Sequence, residues 1–397
     1  MVECLVANEK IAGSIPVSRS TNQLMQIFIL NIIGFLYKYL VRKILFLINP
    51  EVVHRQTIAA GQLLGESKIT KKIISPIFQS KNASLQQSLF GCAFNNPVGL
   101  AAGFDYEARL TQILPSLGFG FGTAGTITYL PYDGNPRPML GRLPRSRSLM
   151  VNKGLKNLGV ADTLKSLKKK TFEYPVGISI GKTNTVAHKT TEEAVNDVAR
   201  AFEIAETSGV PLSYYELNIS CPNLISPIDF YSTSNLKILL DVLSSLHFSK
   251  PVFIKMPISK SDDEIKKMMD LVTQYHWIKA VILGNLQHDR NHPSLMQKEV
   301  KKFAQGSFSG LPCQNQSDRL VSLVHKEYGQ KIKIIGCGGI FSAQDAYRKI
   351  KLGASLVQLI TGLVFEGPQL ISQINQKLVK LLKQDGYASI KEAVGTI

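Results

Sequence analysis

Cysteine, acidic side chains and uninterrupted apolar runs are scarce in this chain of 397 residues, and each shortage excludes something. The five cysteines (Cys4, Cys92, Cys221, Cys313 and Cys337) are scattered, odd in number and form no CxxC pair. That argues against a disulfide framework and a zinc site, so no metal is expected and a reducing compartment is. Acids are outnumbered, 29 Asp+Glu against 46 Lys+Arg, and the net charge of +17 suits a polyanion, an anionic membrane surface or an anionic substrate without choosing among them. No secretory signal is legible, because the first apolar run begins only near Leu24 and no small-residue cleavage site follows it. Disorder is excluded in turn by the 44% hydrophobic content, which can bury a full core. The length exceeds the ~150-residue domain prior but suits one barrel with an appendage.

The stretch 24–48, LMQIFILNIIGFLYKYLVRKILFLI, is apolar but interrupted by Gln26, Asn31, Lys38, Arg42 and Lys43. A spanning helix needs ~20 mostly apolar residues, more than the piece before Lys38 supplies. From Phe35 to Ile48 the cations recur about every four residues among large apolar groups, the pattern of a helix lying in an interface with a basic edge toward lipid headgroups. Asn49 and Pro50 stop it, and 51–64 reads as a second amphipathic helix. The expected organisation is a disordered 1–22, a helical membrane-associating segment over 23–66 and a catalytic body over 67–397.

Beyond residue 85, short runs of Val, Ile, Gly and Ala alternate with helical patterns, as βα units do. Eight are legible, at 98–102, 122–128, 176–181, 214–220, 252–256, 280–285, 332–339 and 356–362, the number a (β/α)8 TIM barrel requires. The helices carry their own signals; Ser261 followed by Glu264 is a capping box. Such barrels hold their chemistry at the C-terminal strand ends, here Ala102, Thr126, Ser179, Asn218, Lys255, Asn285, Gly338 with Gly339, and Thr361. Lys255 closes the apolar strand VFIK, where its ammonium must meet an anion or a carbonyl. Asn218 and Asn285 can each donate and accept, as recognition of a planar heterocycle requires, or else cap the next helix. Glycines after the seventh strand free backbone amides near a helix start at Ser342, a phosphate cradle in the fold's usual place.

Cys221 stands where the chain leaves the fourth strand in ELNISCPNLISPIDF (216–230), and Pro222 biases it away from helix. A thiol titrates near ~8.5, so modest positive surroundings make it a usable base near neutral pH.

These residues, taken together and in order, resemble dihydroorotate dehydrogenase, in its membrane-associated, quinone-dependent class. The likeness rests on YKYLVRKILFLINPEVVH (37–54), NPVGLAAGFD (96–105), GTITYLPYDGNPRPMLGRLP (125–144), IGK (180–182), NISCPN (218–223), GSFSGLP (306–312), IIGCGGI (334–340) and LGASLVQLITG (352–362). The resemblance implies FMN in the barrel mouth, against Ala102, Thr126, Ser179, Asn218, Lys255, Gly310, Gly338, Gly339, Ile360 and Thr361, with Lys255 stabilising the negative charge of the reduced form. It implies dihydroorotate held by Asn152, Asn218, Asn223 and Asn285, with Tyr106 and Lys153 beside it, Cys221 as the base and orotate as product. Electrons then leave to a quinone entering between the N-terminal helices near His54 and Arg142.

The chain departs from the family's pattern at several points. Cysteine as base is the habit of the soluble class, where quinone-dependent members carry serine. Tyr106 stands in the place of a substrate-binding lysine, and Lys156 in that of an asparagine, so Lys153 or Lys156 is expected to supply the missing cation. Ser179, Leu286 and Ile360 replace a usual Asn, hydroxyl residue and Tyr. A tRNA-dihydrouridine synthase-like flavoenzyme, for which the basic stretch 137–170 would be natural, is the rival reading; an FMN-binding barrel with altered substrate is the third. The lipid-facing N-terminal pair favours the first, with no nucleic acid as partner. The expected location is a membrane, with the catalytic body on the cytoplasmic, reducing side.

Overall fold

The computed structural model describes residues 15–397, with side chains from residue 23 onward. Eight parallel strands close into a barrel in the cyclic order β3 (Val98–Leu100), β4 (Phe121–Ile127), β7 (Val176–Ile180), β8 (Tyr214–Asn218), β9 (Val252–Met256), β10 (Ile278–Leu283), β12 (Lys333–Cys337) and β13 (Leu356–Leu359). All eight expected strands are present and neighbours in sequence are neighbours in space. Most stop short of their expected ends, because the polar residues there leave the ladder for the loops.

Side-chain alternation explains how one apolar strand serves two environments. In β8, Tyr215 and Leu217 face the helices, whereas Tyr214 packs inside the barrel with Phe121 and Phe253. Tyr214 stacks on Phe253 at 4.6 Å between ring centroids. The hairpin of β1 (Gln87–Leu89) and β2 (Cys92–Phe94) presents Phe94 edge-on to Phe121. A second, three-stranded sheet was not anticipated: β5 (Leu140–Leu143), β6 (Ser148–Val151) and β11 (Ser307–Gly310) pair antiparallel beside the barrel.

The outer helices start as their sequences dictate, with full capping boxes at Thr190/Glu193 and at Ser261/Glu264. Cβ atoms added at Gly338 (φ +110°) and Gly339 (φ +70°) would run into Cys313 and Gln314, so close approach of the helix Gln314–Tyr328 also requires these glycines.

The N-terminal segment is a hood of helices. Helix α1 (Ile15–Leu36) passes through a π-helical turn, Tyr37–Val41, into α2 (Arg42–Leu47); α3 (Pro50–Glu66) and α4 (Lys68–Phe78) follow. The expected disorder of 1–22 falls on residues 1–14, outside the described residues, and on 15–22, which are the first turns of α1. Helix α4, placed by sequence in the catalytic body, packs against α1 and α3. Most large apolar side chains left exposed among the described residues lie in the hood, including Phe28, Phe35, Leu47 and Ile69. Gln23–Leu47 is long and apolar enough to cross a bilayer.

Two of the three cations expected to face lipid headgroups face the barrel instead, while Lys43 stays exposed. Their four-residue spacing puts Lys38 and Arg42 on one helix face, where Lys38 pairs with Glu366 and Arg42 donates to the carbonyl of Phe365 at 2.7 Å. Glu366 also accepts from Arg147 at 2.5 Å, so one largely buried carboxylate ties hood, barrel and β5–β6 hairpin together. Both cations are more than a third exposed, which limits each pair, and Glu366→Ala is expected to cost about 1–2 kcal/mol. The check is thermal unfolding at low and high salt; an unchanged melting temperature at low salt would mean that this clamp does not hold the hood.

Candidate active site

One continuous cavity of about 530 Å³ runs from the C-terminal mouth of the barrel out between the hood helices. Its inner end is polar: Thr126, Asn218 and Lys255 from β4, β8 and β9 line it with Cys221, Asn223 and Asn285. Its outer end is apolar, with Val41, Leu45 and Val53 of the hood facing Leu140, Leu363 and Val364. His54 and Arg142 both line this cavity. Arg142 donates to the carbonyl of Ile48 at 2.7 Å and lies over the Phe46 ring, so it fastens the hood while lining the passage.

A chain of hydrogen bonds crosses the mouth from strand to strand. Asn218 Nδ2 donates to Thr126 Oγ1 at 2.8 Å, the Thr126 and Ser179 hydroxyls are 2.8 Å apart, and Ser179 Oγ donates to Glu216 Oε1 at 2.7 Å. Glu216 Oε1 lies 3.7 Å from Lys255 Nζ, with both side chains buried. On the other side, Asn218 Oδ1 accepts from Ser220 Oγ at 2.8 Å, and Asn285 Nδ2 donates to the Ser220 carbonyl at 2.8 Å. Burial pulls the Lys255 ammonium down, but Glu216, Cys337 and Cys221 outweigh that and hold its pKa above the usual lysine value.

Cys221 stands between this cavity and a smaller one of about 220 Å³, lined by the loop 222–231 with Lys182 and His288. The expectation that positive surroundings bring the thiol toward neutral pH is corrected by its burial. Desolvation pushes it up to about 11, more than the Asn223 amide, Lys255 and Lys182 recover.

The loop that follows β3 is held by Asp105, whose carboxylate accepts from the amides of Arg109 and Leu110, each at 2.8 Å. It carries Tyr106 into a sandwich: the His54 ring stacks on Tyr106 at 5.5 Å, and Lys153 Nζ lies 4.3 Å from the ring centroid on top of a 3.2 Å hydrogen bond to its hydroxyl. Burial pulls Lys153 down to about 8 against the attraction of Glu51. Burial together with Lys153 pulls His54 down to about 3, so the ring is neutral at pH 7. Lys156 lines the cavity too, but its ammonium is taken by the Asp133 carbonyl at 2.9 Å. Of the two cations, Lys153 is the one placed at the site.

Other expected residues stand behind the wall. Asn152 is turned away from the cavity, held under the GNPRP turn by accepting from Asn135 Nδ2 at 3.0 Å and donating to the Pro136 carbonyl. Ser179, Gly310, Gly338 and Gly339 do not line the cavity either. Gly310 (φ +86°) lets Thr361 and the Arg147 backbone close in, and Thr361 exchanges a 2.7 Å hydrogen bond with Ser309. Ala102, Ile360, Thr361 and Leu286 do line it.

Two residues that organise the site were missed. Asn135 is a hub: besides Asn152 it donates to the Asn223 carbonyl at 2.8 Å and accepts from the Tyr132 hydroxyl at 2.6 Å and from Asn184 at 3.1 Å. Its signal was its place in GNPRP. Glu216 is the other; its signal was an acid two residues from Tyr214 and Asn218, hence on the same inward face.

A closed parallel barrel with a buried lysine, a cysteine and three asparagines around one mouth has the makings of a (β/α)8-barrel enzyme. A family model described as dihydroorotate dehydrogenase matches residues 84–382. The dihydroorotate dehydrogenase (quinone) of Trichodesmium erythraeum is 32% identical over 362 residues, 87% of this chain and 94% of that one. That of Corynebacterium diphtheriae is 32% identical over 352 residues, 89% and 95% of the two chains. A crystal structure of DHODH from Eimeria tenella, in complex with ferulenol, superposes with a TM-score of 0.75 over 87% of this chain and 95% of that one, at 24% identity. The chain belongs to the dihydroorotate dehydrogenase family.

Proposed function

We propose that this chain oxidises dihydroorotate to orotate in pyrimidine biosynthesis, with FMN in the barrel mouth and a quinone as final electron acceptor. The observation that carries the reading is the single cavity joining the Lys255–Cys221 mouth to the apolar passage beneath the hood. The residues present fit FMN. The buried amides of Gly339 and Ile340, which lie outside the lining of the cavity, make no hydrogen bond among the described residues and are free for a phosphate, and Lys255 reaches the cavity as a buried cation. FMN, when bound, supplies hydride acceptance and passes the electrons on to the quinone.

The protein's own part is positioning and proton removal. Asn218, Asn223 and Asn285 offer amide donors and acceptors to the heterocycle, and Lys153 replaces the cation that Tyr106 omits. Cys221 takes the C5 proton. Family membership sets aside the tRNA-dihydrouridine synthase-like reading, and Lys153 lining the cavity supports dihydroorotate over an altered substrate. The test is anaerobic addition of dihydroorotate to the yellow protein, which is expected to bleach.

Two groups titrate in opposite senses. Lys153 binds a carboxylate only when protonated, so dihydroorotate affinity falls as pH rises through about 8. Cys221 accepts a proton only as thiolate, so the limiting rate of flavin reduction rises with pH toward about 11. Single-turnover reduction from pH 6 to 10 checks both; a limiting rate that levels off below pH 7 would contradict the thiol assignment.

The exposed apolar face of the hood is assigned to the membrane surface, with the barrel on the cytoplasmic side. Replacing Phe28, Phe35 and Leu47 together by serine is expected to abolish co-sedimentation with lipid vesicles while leaving flavin reduction by dihydroorotate unchanged. Retained sedimentation would remove the hood from that role.

A further inference from the structure

Glu216 is an acid in the barrel interior, fully buried, two residues before Asn218 on the same inward face of β8. Its Oε1 is engaged by Ser179 and lies 3.7 Å from Lys255 Nζ, while Oε2 has no hydrogen-bond partner among the described residues. A carboxylate with an unused oxygen is costly at such a depth, and the site holds it against the one cation that lines the inner end of the cavity from β9. Below the pair the barrel is filled by Tyr214 and Phe253, which exclude water from that side. The pair is therefore nearly neutral as a unit, and Lys255 presents to the cavity a charge already partly compensated.

We propose that Glu216 is a positioning and charge-balancing residue that limits how strongly Lys255 favours negative charge on the bound flavin, keeping the flavin a ready electron donor to the second acceptor. The inference rests on the FMN reading above. With Lys255 uncompensated, the reduced anionic form would be held too tightly, and reoxidation by the quinone would become the slow step. Ser179 fits the same arrangement, since its short hydroxyl fixes Oε1 and also ties it through Thr126 to Asn218.

The experiment measures the midpoint potential of the bound flavin, by equilibration with a reference dye, in the full-length protein and in Glu216→Gln, Glu216→Asp and Lys255→Met. Glu216→Gln removes the charge and keeps the shape. It is expected to raise the reduced-to-oxidised ratio at fixed dye poise roughly tenfold or more, which is ~30 mV for a two-electron couple. Glu216→Asp, which withdraws the carboxylate by one methylene, should shift it less and in the same direction, and Lys255→Met in the opposite one. In pre-steady-state turnover Glu216→Gln should slow reoxidation by a quinone relative to reduction by dihydroorotate. A merely structural glutamate would lower flavin content or melting temperature without that signed order. Flavin bound at an unchanged or lowered potential in Glu216→Gln overturns the inference and leaves the flavin reading intact; should the Gln variant not fold, the Asp variant decides in the same way. A wild-type protein that binds no flavin overturns both.

Discussion

Cys221→Ala is expected to bind FMN normally and to lose flavin reduction by dihydroorotate by roughly 10²–10⁴-fold, the usual contribution of a general base. The thiol sits at the junction of the two cavities, beside Asn218, Asn223, Asn285 and Lys255. Because burial lifts the thiol to about 11, the wild-type rate at neutral pH is drawn from a small thiolate fraction, and it should climb with pH where the alanine variant stays flat. Anaerobic stopped-flow absorbance of the flavin checks both statements. Reduction at the wild-type rate in Cys221→Ala would transfer the proton to another acceptor.

Lys153→Met is expected to raise the dihydroorotate concentration giving half-maximal reduction about 10- to 100-fold, with the limiting rate little changed, since a charged hydrogen bond contributes ~1.5–3 kcal/mol. The ammonium is positioned by Tyr106 from below and by its own burial, so the contact it would make with a carboxylate is poorly screened. The same substitution should abolish the loss of affinity above pH 8, because no titrating cation remains. Saturation curves for flavin reduction at pH 7 and pH 9 measure both effects. An unchanged half-saturation would mean that the carboxylate is held elsewhere, with Lys156 the next residue to test.

Much of this was legible in the sequence, and for a definite reason. A strand buried on both faces must be continuously apolar, so a polar residue at its end, such as Thr126, Asn218 or Lys255, stands out against it. The eight strands and the mouth followed from that contrast. What escaped depended on distance in space rather than on pattern. Glu216 lies within β8 opposite Phe253, and alternation alone does not say that Lys255, two residues further along the neighbouring strand, will reach it. The three short strands of the side sheet, four residues each, are too brief for a period to show. The cations Lys38 and Arg42 were spaced correctly for one face, but only packing reveals that the face meets Glu366 and Phe365 rather than lipid. Asn152 was placed at the substrate by its loop's likeness to the family; Asn135, whose role needs four loops to converge, decides where it points.

The most direct test of the central claim is one anaerobic experiment on the purified full-length protein, with dihydroorotate added first and a short-chain quinone second, followed through the flavin absorbance. The yellow colour should bleach on the first addition and return on the second. A protein that stays yellow with dihydroorotate, or bleaches and is not restored by the quinone, would contradict the account.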